Sequence, residues 1–220
     1  MDSSHFLAWQ LADSAFPTGV FAHSWGLEAA WQHGELPDVA AVRRFVEAAV
    51  QQTAFGVVPL LNAAYGDSRR WADLDALADA FLINVVANRA SRQQGRTLLA
   101  TAARVWPSPE MDLGRENASK LCAHLGPVAG VVFRMVGVPL ATAQQLALFG
   151  TARGVLSAAV RLGILGSYEA QRLQVACVPL LEACSARAAG FDEEDLAQVA
   201  PIPDLLQATH DRLYSRLFQS

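Results

Sequence analysis

The sequence predicts an all-α fold, and three observations carry that prediction. Apolar residues recur at intervals of three and four along most of the chain, the period of one face of a helix. Residues whose side chains cap helices stand just ahead of several of these runs. The Asn-Gly and Asp-Gly turns that join the strands of hairpins are absent from the sequence.

In chain order, Val39, Val42, Val46 and Ala49 form one stripe behind Asp38, whose side-chain oxygen suits a free backbone N–H at a helix start. Leu74, Leu77, Phe81 and Val85 repeat the pattern after Asp73. Between Val128 and Val138, the run Val131-Val132-Phe133 fits a short strand as well as a helix by periodicity alone. A lone strand has no sheet to join, so the segment is assigned to a buried helix. Thr142 and Gln145 have the reciprocal capping-box spacing and open an alanine- and leucine-rich helix expected to reach Gly163. Gly166 and Ser167 then read as a terminating glycine followed by a new N-cap. Leu173, Cys177, Leu180 and Cys184 share one face of the next helix, with a kink expected at Pro179. The last segment, Asp204 to Ser220, is predicted helical, with Leu206, Thr209, Leu213 and Leu217 on one stripe and Arg212, Tyr214 and Arg216 elsewhere around it.

With 220 residues, 52% of them apolar and 17% charged, the chain has ample apolar surface to form a core. The expectation is a single domain over residues 1–220, a bundle of roughly eight to ten helices, with the C-terminal segment 204–220 mobile. The net charge of -4 leaves no general attraction to phosphate, which argues against nucleic acid as a partner. Lys120 is the only lysine among the 17 basic residues; arginine suits partly buried ion pairs, although codon bias produces the same count. The apolar stretch Phe6 to Trp9 is short, lacks a basic flank and runs into Asp13, so it does not read as a signal peptide, and the cytoplasm is expected. Uncharged stretches such as that between Glu47 and Asp67 carry Gln51, Gln52, Gly56, Pro59 and Asn62, which a membrane span avoids. Three cysteines without a C-x-x-C pair give no disulfide framework.

Chemistry is sparse. Ala22-His23-Ser24-Trp25-Gly26 approaches the G-x-S-x-G nucleophile elbow, but that elbow needs a strand entering a strained turn on a sheet already built. His5, His23, His33, His124 and His210 lack H-x-x-x-H spacing, and Cys122 with His124 on a helix would point to different sides, so no metal site is expected from spacing. No G-x-x-x-x-G-K-[ST] loop is present to bind GTP. Gly95, inside a helical stretch, reads equally as a close helix crossing or a partner surface. The acidic run Asp192 to Asp195 reads as a solvated face.

One segment is specific. Leu11-Ala12-Asp13-Ser14-Ala15-Phe16-Pro17-Thr18-Gly19-Val20-Phe21-Ala22-His23-Ser24-Trp25-Gly26-Leu27-Glu28 resembles the signature of the UreF family, in which an aspartate-serine and a proline-threonine-glycine-glycine turn precede a His-Ser-x-Gly-Leu-Glu run. Three later blocks agree in order: residues 89–96, Ala158 to Gly163 with Gln171, and His210 to Phe218. Val20 departs from the pattern, standing where the family has a second glycine, and Trp25 fills a variable slot.

The resemblance implies a cytoplasmic, all-α homodimer that hydrolyses neither urea nor GTP and needs no cofactor. Its implied role is that of a metallocentre-assembly chaperone: it joins a D-type (also called H-type) urease accessory protein, recruits the GTPase UreG, controls productive GTP hydrolysis and so assists nickel insertion into apo-urease. On the matching positions, His23, Ser24 and Glu28 are implied partner contacts, as are Arg92, Gln94 and Arg96, Arg161 and Gln171, and His210, Tyr214, Arg216, Leu217 and Phe218. Arg161 has a structural alternative at its helix C-terminus near Gly163. Two other functions are weighed against this one, a small hydrolase using Ser24 and His23 and a nickel-binding metallochaperone.

Overall fold

A computed structural model describes residues 4–108, 111, 116 and 120–220. Among these the structure is all-α, without strands. The helices are α1 (Ser4–Ala12), α2 (Leu27–Gln32), α3 (Val39–Gly56), α4 (Val58–Gly66), α5 (Trp71–Phe81), α6 (Val85–Val105), α7 (Leu125–Met135), α8 (Leu140–Arg161), α9 (Ser167–Ala176), α10 (Val178–Ala188) and α11 (Pro201–Ala208). Short 3-10 turns fall at Val20–Ala22, Ser68–Arg70, Glu193–Asp195 and His210–Arg212.

Local chemistry explains most boundaries. Asp38 caps α3 by accepting the Ala41 N–H at 2.7 Å. Pro179 lies in the first turn of α10, so the bend expected there is a break into α9 and α10, placed where the missing proline N–H costs nothing. Gly163, at φ 73°, ends the α8 region in the left-handed conformation. Val128, Val131 and Val132 are buried in α7, which bears out the helical assignment of that segment.

Three boundaries differ from expectation. The stripe predicted from Leu74 to Val85 is divided, because Asn84 accepts the Val86 and Ala87 N–H groups and starts α6, leaving Val85 exposed. The capping box at Thr142 and Gln145 does not form, since α8 already begins at Leu140 behind Pro139. The predicted helix from Asp204 to Ser220 stops at Ala208, passes through the turn at His210–Arg212 and continues without helix to the end of the segment.

The helices enclose two apolar clusters. One is built by α2, α3, α8, α9 and α10, with Cys177 and Cys184 inside it as small apolar groups. The other is built by α4, α5, α6 and α7, with α7 laid along α4 and α6. Among the described residues no helix is long and apolar enough to cross a membrane. The loop before α2, the end of α11 and the C-terminal segment meet beside the first cluster, where Phe218 is buried.

Candidate functional site

The site begins with a turn. Gly19 sits at φ 75°, a conformation that L side chains rarely adopt, and the chain then enters the 3-10 turn that starts at Val20. The left-handed residue of this turn is therefore Gly19, and Val20 occupies a helical position that a β-branched residue tolerates. Trp25 at φ 56° and Gly26 at φ 84° make a second sharp reversal that aims His23 and Ser24 inward and opens α2. His23, Ser24 and Glu28 are all buried.

Their partners come from the far end of the sequence. Ser24 donates both its main-chain N–H, at 2.6 Å, and its hydroxyl, at 2.8 Å, to the main-chain oxygen of Ser220. His23 Nδ1 shares a hydrogen bond of 2.6 Å with the Ser220 hydroxyl, and Gln219 N–H donates to Ala22 O at 2.7 Å. In the first turn of α2, the Glu28 carboxylate accepts the Leu217 N–H at 2.6 Å, the Phe218 N–H at 3.1 Å and the His210 Nε2–H at 3.1 Å. An isolated buried carboxylate is costly, and these three donors offset that cost. Arg161 completes the dock: its guanidinium donates to Phe21 O and stacks 4.4 Å from the centre of the Phe218 ring.

His23 is the titratable group most affected. Burial first, then the nearby Arg89 and His210, push its imidazole down to about 4, so it is neutral at physiological pH. Among the described residues its Nε2 and the Oε1 of the buried Gln94 have no hydrogen-bond partner, and both residues line a cavity of about 150 Å³ with Gln52, Ser91 and Gln207. The Ser24 hydroxyl is turned to Ser220, and His23 Nδ1 bonds Ser220 as well, so these two side chains do not form the nucleophile–base pair of a hydrolase.

The structure thus brings together His23, Ser24, Glu28, Arg161, His210, Leu217 and Phe218. The end of the segment 204–220 is docked on its own chain: Phe218 and Ser220 are buried, and their main-chain groups find tertiary partners in place of helical ones. Around this dock, Tyr214 is fully exposed, Leu217 turns its side chain outward, and Arg216 pairs with Asp211, which is also held by a two-pronged bond from Arg89. Arg96 is exposed on α6. Gln94 is turned inward on the same helix. Gln171 is exposed on α9, an element outside the dock.

Arg92 belongs to a second polar group. It pairs with Asp79, whose Oδ1 also receives Asn88 Nδ2 at 2.9 Å and faces His124 Nε2 at 3.1 Å. These contacts, Arg92 foremost, hold the Asp79 carboxyl well below the usual carboxylate range, while burial lowers the His124 imidazole. The buried Asp75, one turn earlier on α5, accepts the N–H groups of Cys122 at 2.8 Å, Ala123 at 3.2 Å and His124 at 2.7 Å. Gly95 permits this loop to lie on α6: a Cβ there would meet Ala123 O at 2.0 Å. The close crossing at Gly95 is with this loop. The expectation that Cys122 and His124 diverge on a helix is also corrected, since neither residue is helical and both face Asp79.

Spacing did not reveal Ser220, Asp75, Asp79 or Ser91. Their traces in the sequence are the i,i+4 pair Asp75 and Asp79, which a helical reading of α5 places on one face, and the place of Ser91 in the block of residues 89–96.

Comparison with known proteins gives a consistent result. A family model described as UreF matches residues 36–178. The chain is 36% identical over 216 residues to a protein of Oryza sativa subsp. indica named urease accessory protein F, covering 96% of this chain and 83% of that one. A protein of the same name in Arabidopsis thaliana is 36% identical over 222 residues, covering 96% and 91%. Urease accessory protein UreF of Arthrobacter sp. (strain FB24) is 33% identical over 214 residues, covering 96% and 95%.

Proposed function

Because this chain belongs to the UreF family of urease accessory proteins, we propose that it is a non-catalytic cytoplasmic scaffold, active as a homodimer, that bridges the D/H-type accessory protein and the GTPase UreG during nickel insertion into apo-urease and controls when GTP is hydrolysed. The observation that carries this reading is the use to which the signature residues are put. His23 through Nδ1, Ser24 through its hydroxyl and Glu28 through both carboxylate oxygens bind the chain's own C-terminal segment.

The consequence is a shaped surface. With its main chain fixed, the segment turns Tyr214, Arg216 and Leu217 outward next to Arg89, and aromatic, arginine and leucine side chains on a fixed backbone are the composition of an interface anchor. Arg92 and Arg96 extend the basic character along α6 and are a second contact region in this reading, with Gln171 on α9 a third.

Complementation tests the proposal. Expressed in a urease-positive bacterium lacking its own UreF, the chain restores urease activity and the nickel content of urease, and it copurifies with the D/H-type protein and UreG. Failure of all three, together with ester hydrolysis by the purified chain that disappears on Ser24→Ala, supports the hydrolase reading instead.

A further inference from the structure

The group around His124 has the chemistry of a metal site. We propose that Asp79, Cys122 and His124 bind a borderline divalent cation of the zinc, cobalt and nickel type, with a fourth position left open. One carboxylate oxygen, one sulfur and one imidazole nitrogen from these residues all lie within 4.8 Å of one another. Donors around a single tetrahedral ion at about 2.0–2.3 Å sit roughly 3.5 Å apart. A contraction of about 1 Å, of the size a Cys122 side-chain rotation supplies, therefore closes the shell.

The donor types select the ion. A thiolate and an imidazole exclude magnesium and calcium, which take oxygen ligands, and a carboxylate as third donor suits zinc, cobalt or nickel. Among the described residues three supply ligands, which leaves one coordination position for water or another donor, as in exchangeable sites, whereas closed structural sites use four.

The surroundings are preorganised. Asp75 clamps three successive N–H groups of the ligand loop, and Gly95 lets that loop lie against α6. Ala123 at φ 61° produces the reversal that turns Cys122 and His124 to the same side. His124 Nδ1 shares a hydrogen bond of 3.1 Å with Ser91 Oγ, which orients the ring so that Nε2 faces Asp79. An outer hydrogen bond on one imidazole nitrogen is the usual device for presenting the other to a metal.

Proton balance follows from the same contacts. On binding, the imidazole proton passes from Nε2 to Nδ1, where Ser91 Oγ accepts it, and the Cys122 thiol proton leaves to solvent. Without metal, Arg92 supplies the positive charge beside Asp79, and the ion takes over that role.

Titration of the full-length purified chain with Co²⁺ tests the site, because a thiolate bound to cobalt gives a charge-transfer band in the near ultraviolet. The expected result is one equivalent of Co²⁺ producing this band, and a Zn²⁺-dependent rise in Tm. Cys122→Ser abolishes both while keeping the metal-free helical spectrum. Cys177→Ser and Cys184→Ser leave the band in place, and Ser91→Ala weakens Co²⁺ affinity about 10-fold. Absence of the band in the unmodified chain overturns the proposal. So does a band that survives Cys122→Ser, which would place the ion elsewhere. An unchanged affinity in Ser91→Ala removes the role given to the outer hydrogen bond and counts against the site as drawn.

Discussion

Glu28 and Phe218 lie 190 positions apart in sequence, yet Glu28 Oε2 accepts the Phe218 main-chain N–H at 3.1 Å, while Oε1 accepts the neighbouring Leu217 N–H at 2.6 Å. A side chain in the signature near the start of the chain therefore fixes the backbone at its far end. Glu28→Gln replaces one acceptor oxygen by a donor that faces donors. The expected cost is about 2 kcal/mol in denaturant unfolding. Hydrogen exchange should quicken most at the Leu217 and Phe218 amides. Unchanged protection at those two amides would contradict the role given to Glu28.

His23 predicts an acid-side loss of stability. Its ordinary value is 6.5 and its folded value is about 4. Above pH 6.5 the group is neutral in both states and its neutral form fits the fold. As pH falls from 6.5 towards 4 the unfolded chain takes up a proton that the folded one refuses, so stability declines, and the slope vanishes once the folded form is also protonated. The size expected from this residue alone is about 2 kcal/mol between pH 7.5 and pH 5. His23→Asn, whose amide keeps a nitrogen near the position of Nδ1, should flatten that part of the profile. A slope identical to that of the unmodified chain would contradict the assignment.

Gly95 predicts a steric penalty. An added Cβ would sit 2.0 Å from Ala123 O, a main-chain atom that cannot swing away. Alanine improves helix propensity by about 1 kcal/mol, but overpacking of this kind costs about 1–3 kcal/mol and displaces the loop held by Asp75. Gly95→Ala should therefore lower the denaturation midpoint, and a rise would show that the crossing is looser than described.

Much of the fold is legible in the sequence. Asp38 and the stripe behind it give α3 directly, and the face shared by Leu173, Cys177 and Cys184 is the face that is buried. Propensity and period fail where tertiary contacts compete with them. The spacing of Leu206, Thr209, Leu213 and Leu217 mimics a helix, but beyond Ala208 the main-chain donors find Glu28 and Ala22, and helical hydrogen bonding is given up. The residues of the dock were legible as a family motif, whereas their convergence was not. No local pattern announces that Ser220 covers Ser24, or that a loop clamped by Asp75 turns Cys122 and His124 towards Asp79.

The central claim is that the docked segment presents a partner surface, and the exposed side chains test it most cleanly because they make none of the hydrogen bonds of the dock. In Tyr214→Ala/Leu217→Ala the side chains removed point to solvent, and the Leu217 N–H bond to Glu28 is untouched. Copurification of this double variant with the D/H-type accessory protein, alongside its helical spectrum and melting temperature, is the decisive measurement. The predicted result is an unchanged spectrum and Tm with copurification and urease activation lost. A variant that stays folded, still copurifies and still activates urease contradicts the account.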